Sequence, residues 1–202
     1  MFLLQSQLVD HKALEIFEAL DQDISETADY FQEKCGEITK DKLIQLRDKR
    51  EGNEGRTLLH NAARNGSLSG VLALLRAGHH AEPFDSSISR LTPLMNAIQY
   101  QQIEIAVILL EAGASVFTQD VNGENALHYA ARSGGFGMLK NLITAANLSV
   151  SGNKECASTM NIKRKYPEDL AKNPRMVAIL RHVRYTGQYV NVPTKALNSG
   201  MY

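Results

Sequence analysis

The chain has 202 residues, with 22 lysines and arginines against 22 aspartates and glutamates, so its formal net charge is zero. That balance argues against the broad basic footprint of a nucleic-acid binder and against any general attraction to an anionic membrane. Only two cysteines occur, Cys35 and Cys156, far apart and without a CxxC, so a disulfide scaffold or zinc ribbon is not expected and a reducing, intracellular setting fits. The opening Met1-Phe2-Leu3-Leu4 is broken by Gln5, Ser6 and Gln7 before a signal-peptide core can form, and no apolar run reaches membrane-spanning length.

Along the first fifty residues, Leu4, Leu8, Leu14, Ile16, Phe17 and Leu20 follow a helical stripe and predict a helix roughly between Gln5 and Asp21. Ser25-Glu26-Thr27 opens a second helix through Lys34, closed by Gly36, and Thr39 can cap a third with Leu43, Ile44 and Leu46 turned inward. The charged run Arg47–Glu51 and the glycines Gly52 and Gly55 then lead into a different kind of sequence.

From residue 51 a phrase recurs. Thr57-Leu58-Leu59-His60-Asn61-Ala62-Ala63 returns as Thr92-Pro93-Leu94-Met95-Asn96-Ala97, 35 residues on, and as Asn125-Ala126-Leu127-His128-Tyr129-Ala130-Ala131 after a further 33. A weaker version, Tyr166-Pro167-Glu168-Asp169-Leu170-Ala171, follows 41 residues later. Each phrase predicts a short first helix, and each strong one is followed by an apolar second helix: Leu58–Asn65 with Leu68–Ala77, Pro93 onward with Ile103–Ala112, and Ala126 onward with Gly137–Ala146. Pro93 stands at the first helical position, where its missing N–H costs nothing. Ser149–Lys165 reads as a polar connection, Met176, Val177, Ile179 and Leu180 as the last packed helix, and 185–202 as an irregular tail.

A period in the low thirties with a T-P-L-H-x-A phrase resembles the ankyrin repeat. The resemblance covers about residues 51–184, as repeats near 51–83, 84–118 and 119–150 and a degenerate one at 151–184. It implies an all-α solenoid of helix-turn-helix units joined by β-turn or hairpin connections, in which 1–50 serves as a helical N-terminal cap or degenerate repeat. The alternative for 1–50 is a divergent F-box, since the spacing of Leu14, Ile16, Phe17, Leu20, Phe31, Cys35, Ile38, Leu43 and Leu46 is similar to that three-helix docking module. Leu8-Val9-Asp10-His11 stands where its Leu-Pro opening belongs.

The resemblance also assigns the most chemical-looking residues to structure. His60 and His128 fall where the ankyrin histidine bonds neighbouring backbone, and the alanine pairs Ala62-Ala63 and Ala130-Ala131 fall where helices approach closely. Arg90 and Arg164 stand in the places of turn glycines. No phosphate loop, HExxH or nucleophile elbow is present. Cys156 lies near Lys154, which could lower its pKa, but no oriented base accompanies it. No catalytic residue, metal or cofactor is expected.

Ankyrin partners commonly use turn tips and the exposed side of each first helix. Carried over repeat by repeat, this implies a partner-binding set of Arg56, Arg64, Asn65, Ile88, Leu91, Gln99, Tyr100, Asn122, Glu124, Arg132 and Ser133, with Tyr100, Arg132 and Arg64 at its centre. Aromatic rings and guanidinium groups are favoured in interface hot spots. The expected function is non-enzymatic binding of a protein or peptide by a cytoplasmic monomer, with neither nucleic acid nor membrane as partner. The alternatives are an F-box-like adaptor for a ubiquitin ligase, the targeting portion of a larger enzyme, or a bacterial effector delivered into a host cell.

Overall fold

The computed structural model describes residues 55–81, 89–144 and 150–191. The predicted cap or F-box at 1–50, the tip residue Ile88 and most of the predicted tail lie outside them. Among the described residues the secondary structure is helical, with no strand. Repeat one supplies α1 (Leu58–Asn65) and α2 (Leu68–Arg76). Repeat two supplies α3 (Pro93–Gln99) and α4 (Ile103–Glu111), and repeat three α5 (Ala126–Ser133) and α6 (Phe136–Thr144). Then follow α7 (Val150–Ser158), the single turn α8 (Pro167–Leu170) and α9 (Pro174–Thr186).

Each first helix begins because one side chain satisfies a backbone N–H that the helix cannot. Thr57, Thr92 and Asn125 hold extended backbone angles and accept from the N–H of His60, Met95 and His128. The helices then stack in two rows. α1, α3, α5 and α8 pack in sequence along one row, while α2, α4 and α6 follow one another along the other. Ala62, Ala63, Ala97, Ala130 and Ala131 are almost wholly buried, so the small residues lie where first helices meet. Leu58, Leu74, Leu94, Leu109, Leu127 and Leu142 fill one continuous core with them.

Among the described residues, three other than glycine adopt left-handed backbone. Arg90 (φ 50°) and Arg164 (φ 56°) repeat the conformation of Gly55 and Gly123 at the same hairpin position. Gln101 (φ 60°) takes the place that Gly66 and Gly134 hold after the other first helices. A left-handed conformation costs an ordinary side chain about 1–2 kcal/mol, part of which glycine gives back through its more mobile unfolded chain. Gln101→Gly is therefore expected to stabilise the protein by about 0.5–1 kcal/mol. An unchanged or lower denaturant midpoint would contradict this reading of the turn.

The fourth unit differs from expectation. Within the supposed polar connection Ser149–Lys165, residues Val150–Ser158 form a helix. It carries no large apolar stripe, and it is held instead by Asn153, Cys156 and Ala157, all buried and spaced as one helical face. Asn153 Nδ2 donates to the carbonyls of Ile143 (3.1 Å) and Gly187 (2.9 Å), tying α7 to the ends of both α6 and α9. The last helix runs to Thr186, beyond the start of the predicted tail, and Tyr189 and Val190 still pack on the core. Its Arg184 bonds Glu168, a buried carboxylate on α8, at 2.6 Å. None of the helices in the described residues is long and apolar enough to cross a membrane.

Candidate partner-binding face

The two histidines are wholly buried. His60 Nδ1 accepts from the Thr57 N–H (3.2 Å) and lies 2.7 Å from the Thr57 hydroxyl. An Nδ1 that accepts leaves the proton on Nε2, which donates to the Leu91 carbonyl of the next repeat at 2.9 Å. His128 makes the same two joins, with Nδ1 lying 3.2 Å from the Asn125 amide nitrogen and 2.7 Å from the Asn125 Oδ1, and Nε2 lying 3.2 Å from the Lys165 carbonyl. Each imidazole thus joins its own helix start to the following hairpin, as the sequence phrase implies. Met95 stands between them at the same place and is equally buried, without a ring nitrogen to offer.

Burial holds the His128 pKa below its usual 6.5, against the raising influence of the Lys165 carbonyl and Glu124, while Arg132 lowers it and Asp120 raises it. The unfolded chain therefore binds a proton that the native state refuses. Stability from this site is complete above 6.5 and is lost as pH falls from there toward the depressed folded value. The denaturant midpoint should accordingly be lower at about pH 5 than at about pH 7.5. The drop should shrink in His128→Gln; an equal drop in both proteins would exclude His128 as its source.

Cys156 also departs from expectation. It is buried in α7 rather than set in a polar connection where Lys154 could lower its pKa; its Sγ lies 3.4 Å from the Val116 carbonyl, and burial pushes its thiol pKa up to about 12. A thiol so raised is a poor nucleophile. Among the described residues no group of three His, Cys, Asp or Glu side chains could hold a metal ion.

The hairpins between repeats are built on two residues the sequence did not single out. Asp120 Oδ1 accepts from the N–H groups of Asn122 and Glu124, each at 2.8 Å, and its Oδ2 accepts from the Tyr129 hydroxyl at 3.0 Å. Asn161 does the same one hairpin later, accepting from Lys163 N–H and Lys165 N–H at 3.0 Å each. Successive tips are then bonded together: Val121 N–H donates to Ser89 O (3.3 Å), and Ile162 N–H to Asn122 O (2.9 Å). The spacing Asp120-x-x-Gly123 against Asn161-x-x-Arg164 is the signal that could have found them.

The expected partner-binding residues fall into three groups. Gln99, Tyr100, Asn122 and Arg132 are exposed at helix ends or hairpin tips, and Arg56, Arg64, Asn65, Leu91 and Ser133 are half-buried. The Arg64 guanidinium lies over the Tyr100 ring, 5.1 Å from its centroid, and the ring remains 42% exposed. Arg132 belongs to a different cluster, 5.7 Å above the Tyr129 ring and 2.6 Å from a Glu124 oxygen. Glu124 is buried, and Asn161 Nδ2 donates to its carboxylate at 3.1 Å, so it ties one hairpin to the next. The Ser133 hydroxyl is spent on the Ala130 carbonyl at 3.1 Å.

Two rows of helices, linked by bonded hairpins and by buried imidazoles, define a helical-repeat stack of the kind that serves as a binding scaffold. Residues 59–154 match the family model for ankyrin repeats in three copies, and this part of the chain belongs to that family. The chain is 31% identical over 128 residues to the B-cell lymphoma 3 protein homolog of Mus musculus, a match covering 63% of this chain and 27% of the mouse protein. It is 28% identical over 122 residues to Inversin of Gallus gallus, covering 60% of this chain and 10% of the chicken protein. The chain thus spans a small part of either relative. Ankyrin repeats are a protein–protein interaction module and generally not enzymatic.

Proposed function

We propose that this protein recognises a partner protein or peptide through the face made by the exposed ends of its first helices and the adjoining hairpin tips. The observation that carries the reading is Tyr100, a large aromatic side chain 42% exposed at the end of a buried helix, with the Arg64 guanidinium stacked on it. A ring held in place by a cation loses little entropy on binding and can bury a large area against a partner. Gln99 precedes Tyr100 at the same helix end, Asn65 holds the Tyr100 position one repeat earlier and Arg132 the Gln99 position one repeat later, and these supply polar contacts along the row. Arg132 contributes only its free side, because its other side neutralises Glu124.

Affinity capture from cytosol, read by mass spectrometry, tests the reading with wild type against Tyr100→Ala. Tyr100 is exposed and carries no part of the core, so the variant is expected to fold normally and to lose its specific partner at least tenfold. Equal recovery of every partner by both proteins would remove Tyr100, and the face with it.

A further inference from the structure

We infer that the hairpin tips before α5 and α8 form a second contact site, which rests on the surface of an anionic lipid bilayer. The corners of these two hairpins carry aliphatic side chains. Gly123 N–H donates to Asp120 O (3.0 Å) and Arg164 N–H to Asn161 O (2.8 Å), closing two β-turns with Val121 and Ile162 at the same first corner. Ile162 is 67% exposed, more than any other large apolar side chain among the described residues, and Val121 is 43% exposed. Met160, just before the second of these turns, is exposed as well. The bond from Ile162 N–H to Asn122 O (2.9 Å) holds the two corners side by side.

Three consecutive cations follow Ile162. Lys163, Arg164 and Lys165 are all exposed, and none of the three makes an ion pair among the described residues. The acids of the two hairpins and of α8 do little to offset them. Asp120 is buried and accepts hydrogen bonds, Glu124 is paired with Arg132 and Glu168 with Arg184, which leaves Asp169 as the one exposed carboxylate on these elements. Arg164 adds its charge at a backbone cost, since it holds a left-handed conformation (φ 56°) that Gly123 holds one hairpin earlier. The neutrality of the whole chain argues against a general pull toward anionic lipid, but charges are screened beyond about 10 Å at about 0.1 M salt, so a local cluster acts for itself.

Shape and chemistry together select the occupant. Corner residues are the outermost points of their hairpins and have no walls around them, so they suit a surface that yields around them rather than a peptide lying in a groove. A nucleic-acid backbone answers the cations and gains nothing from the aliphatic groups. A bilayer answers both: anionic headgroups meet Lys163, Arg164 and Lys165, while Ile162 and Val121 enter the boundary between headgroups and acyl chains. The contact is peripheral, since none of the helices in the described residues is long and apolar enough to cross a membrane.

Vesicle sedimentation with the full chain tests this, using phosphatidylcholine alone and phosphatidylcholine with about one-third phosphatidylserine. The mixed vesicles are expected to bind at least tenfold more tightly, and less so as salt is added. Ile162→Ser and Lys163→Gln/Arg164→Gly are each expected to lose at least fivefold in affinity while melting no lower than wild type. The chain has no tryptophan, so Ile162→Trp introduces a single reporter. Its emission is expected to shift to the blue on mixed vesicles and to be quenched by lipids brominated on their acyl chains. Equal binding to both vesicle types, wild-type affinity in Ile162→Ser, or a reporter emission that mixed vesicles leave unchanged would each overturn the inference. A chain that binds a glutamate-rich peptide or single-stranded DNA and ignores the mixed vesicles would assign the cations to another ligand, and would overturn it as well.

Discussion

Replacing the wholly buried His60 with alanine is expected to destabilise the protein by about 3 kcal/mol. The loss has two parts. A buried Thr57 N–H and the Leu91 carbonyl lose their partner, at about 1–3 kcal/mol where no water replaces it, and the missing ring leaves a cavity between repeats one and two. In a stack each repeat is stabilised mainly by its neighbours, so the damage should appear as a loosened first repeat. Hydrogen exchange is expected to quicken in α1 and α2 before it does in α5 and α6. His60→Met, which copies what repeat two does with Met95, keeps the volume and should recover part of the loss. A variant as stable as wild type, with altered binding instead, would mean that the imidazole faces function rather than fold.

The second large effect is expected at Arg132. Removing its guanidinium in Arg132→Ala leaves the buried Glu124 carboxylate with the Asn161 amide but no cation, and loosens the packing over Tyr129. Breaking a fully buried pair costs about 3–5 kcal/mol, but the arginine side chain is 49% exposed, and solvent screening brings the expectation to about 2 kcal/mol. Arg132→Ala/Glu124→Gln, which removes both charges together, should be closer to wild type than the single change. Thermal melting of the three proteins checks this, and additive losses would show that the two charges do not interact. The same coupling explains why Tyr100→Ala is the cleaner probe of binding: loss of binding in an Arg132 variant could come from a shifted hairpin.

The parts of this fold legible in the sequence are those where one residue type has one use. Leu-His with a following Ala pair recurs because a buried turn, a cross-repeat imidazole and a close helix approach each accept few side chains, and His60 and His128 bond neighbouring backbone as expected, at the Leu91 and Lys165 carbonyls. Other residues could not be read because their role depends on what another segment brings. Glu124, a carboxylate beside a turn glycine, resembles an exposed tip residue until Arg132 and Asn161 close over it. The helix Val150–Ser158 lacks apolar bulk, and its buried face of Asn153, Cys156 and Ala157 has meaning only once the Gly187 carbonyl is there to receive the amide. Gln101 carries no sign of its left-handed backbone, since the neighbouring repeats use glycine for it. Arg90 and Arg164 were visible as misplaced residues, and the structure adds that they keep the glycine conformation.

Residues that look chemical, His60 and His128 above all, tie one repeat to the next, which accords with the proposal that recognition falls to the outer ends of the first helices. The most direct test is the tautomeric state of His60 and His128 by nitrogen-15 NMR of the imidazole rings. The prediction is that both rings are protected from solvent exchange, and that His60 carries its proton on Nε2, coupled across the hydrogen bond to the Leu91 carbonyl. Rings in rapid exchange with water, or a His60 protonated on Nδ1 with a free Nε2, would contradict it.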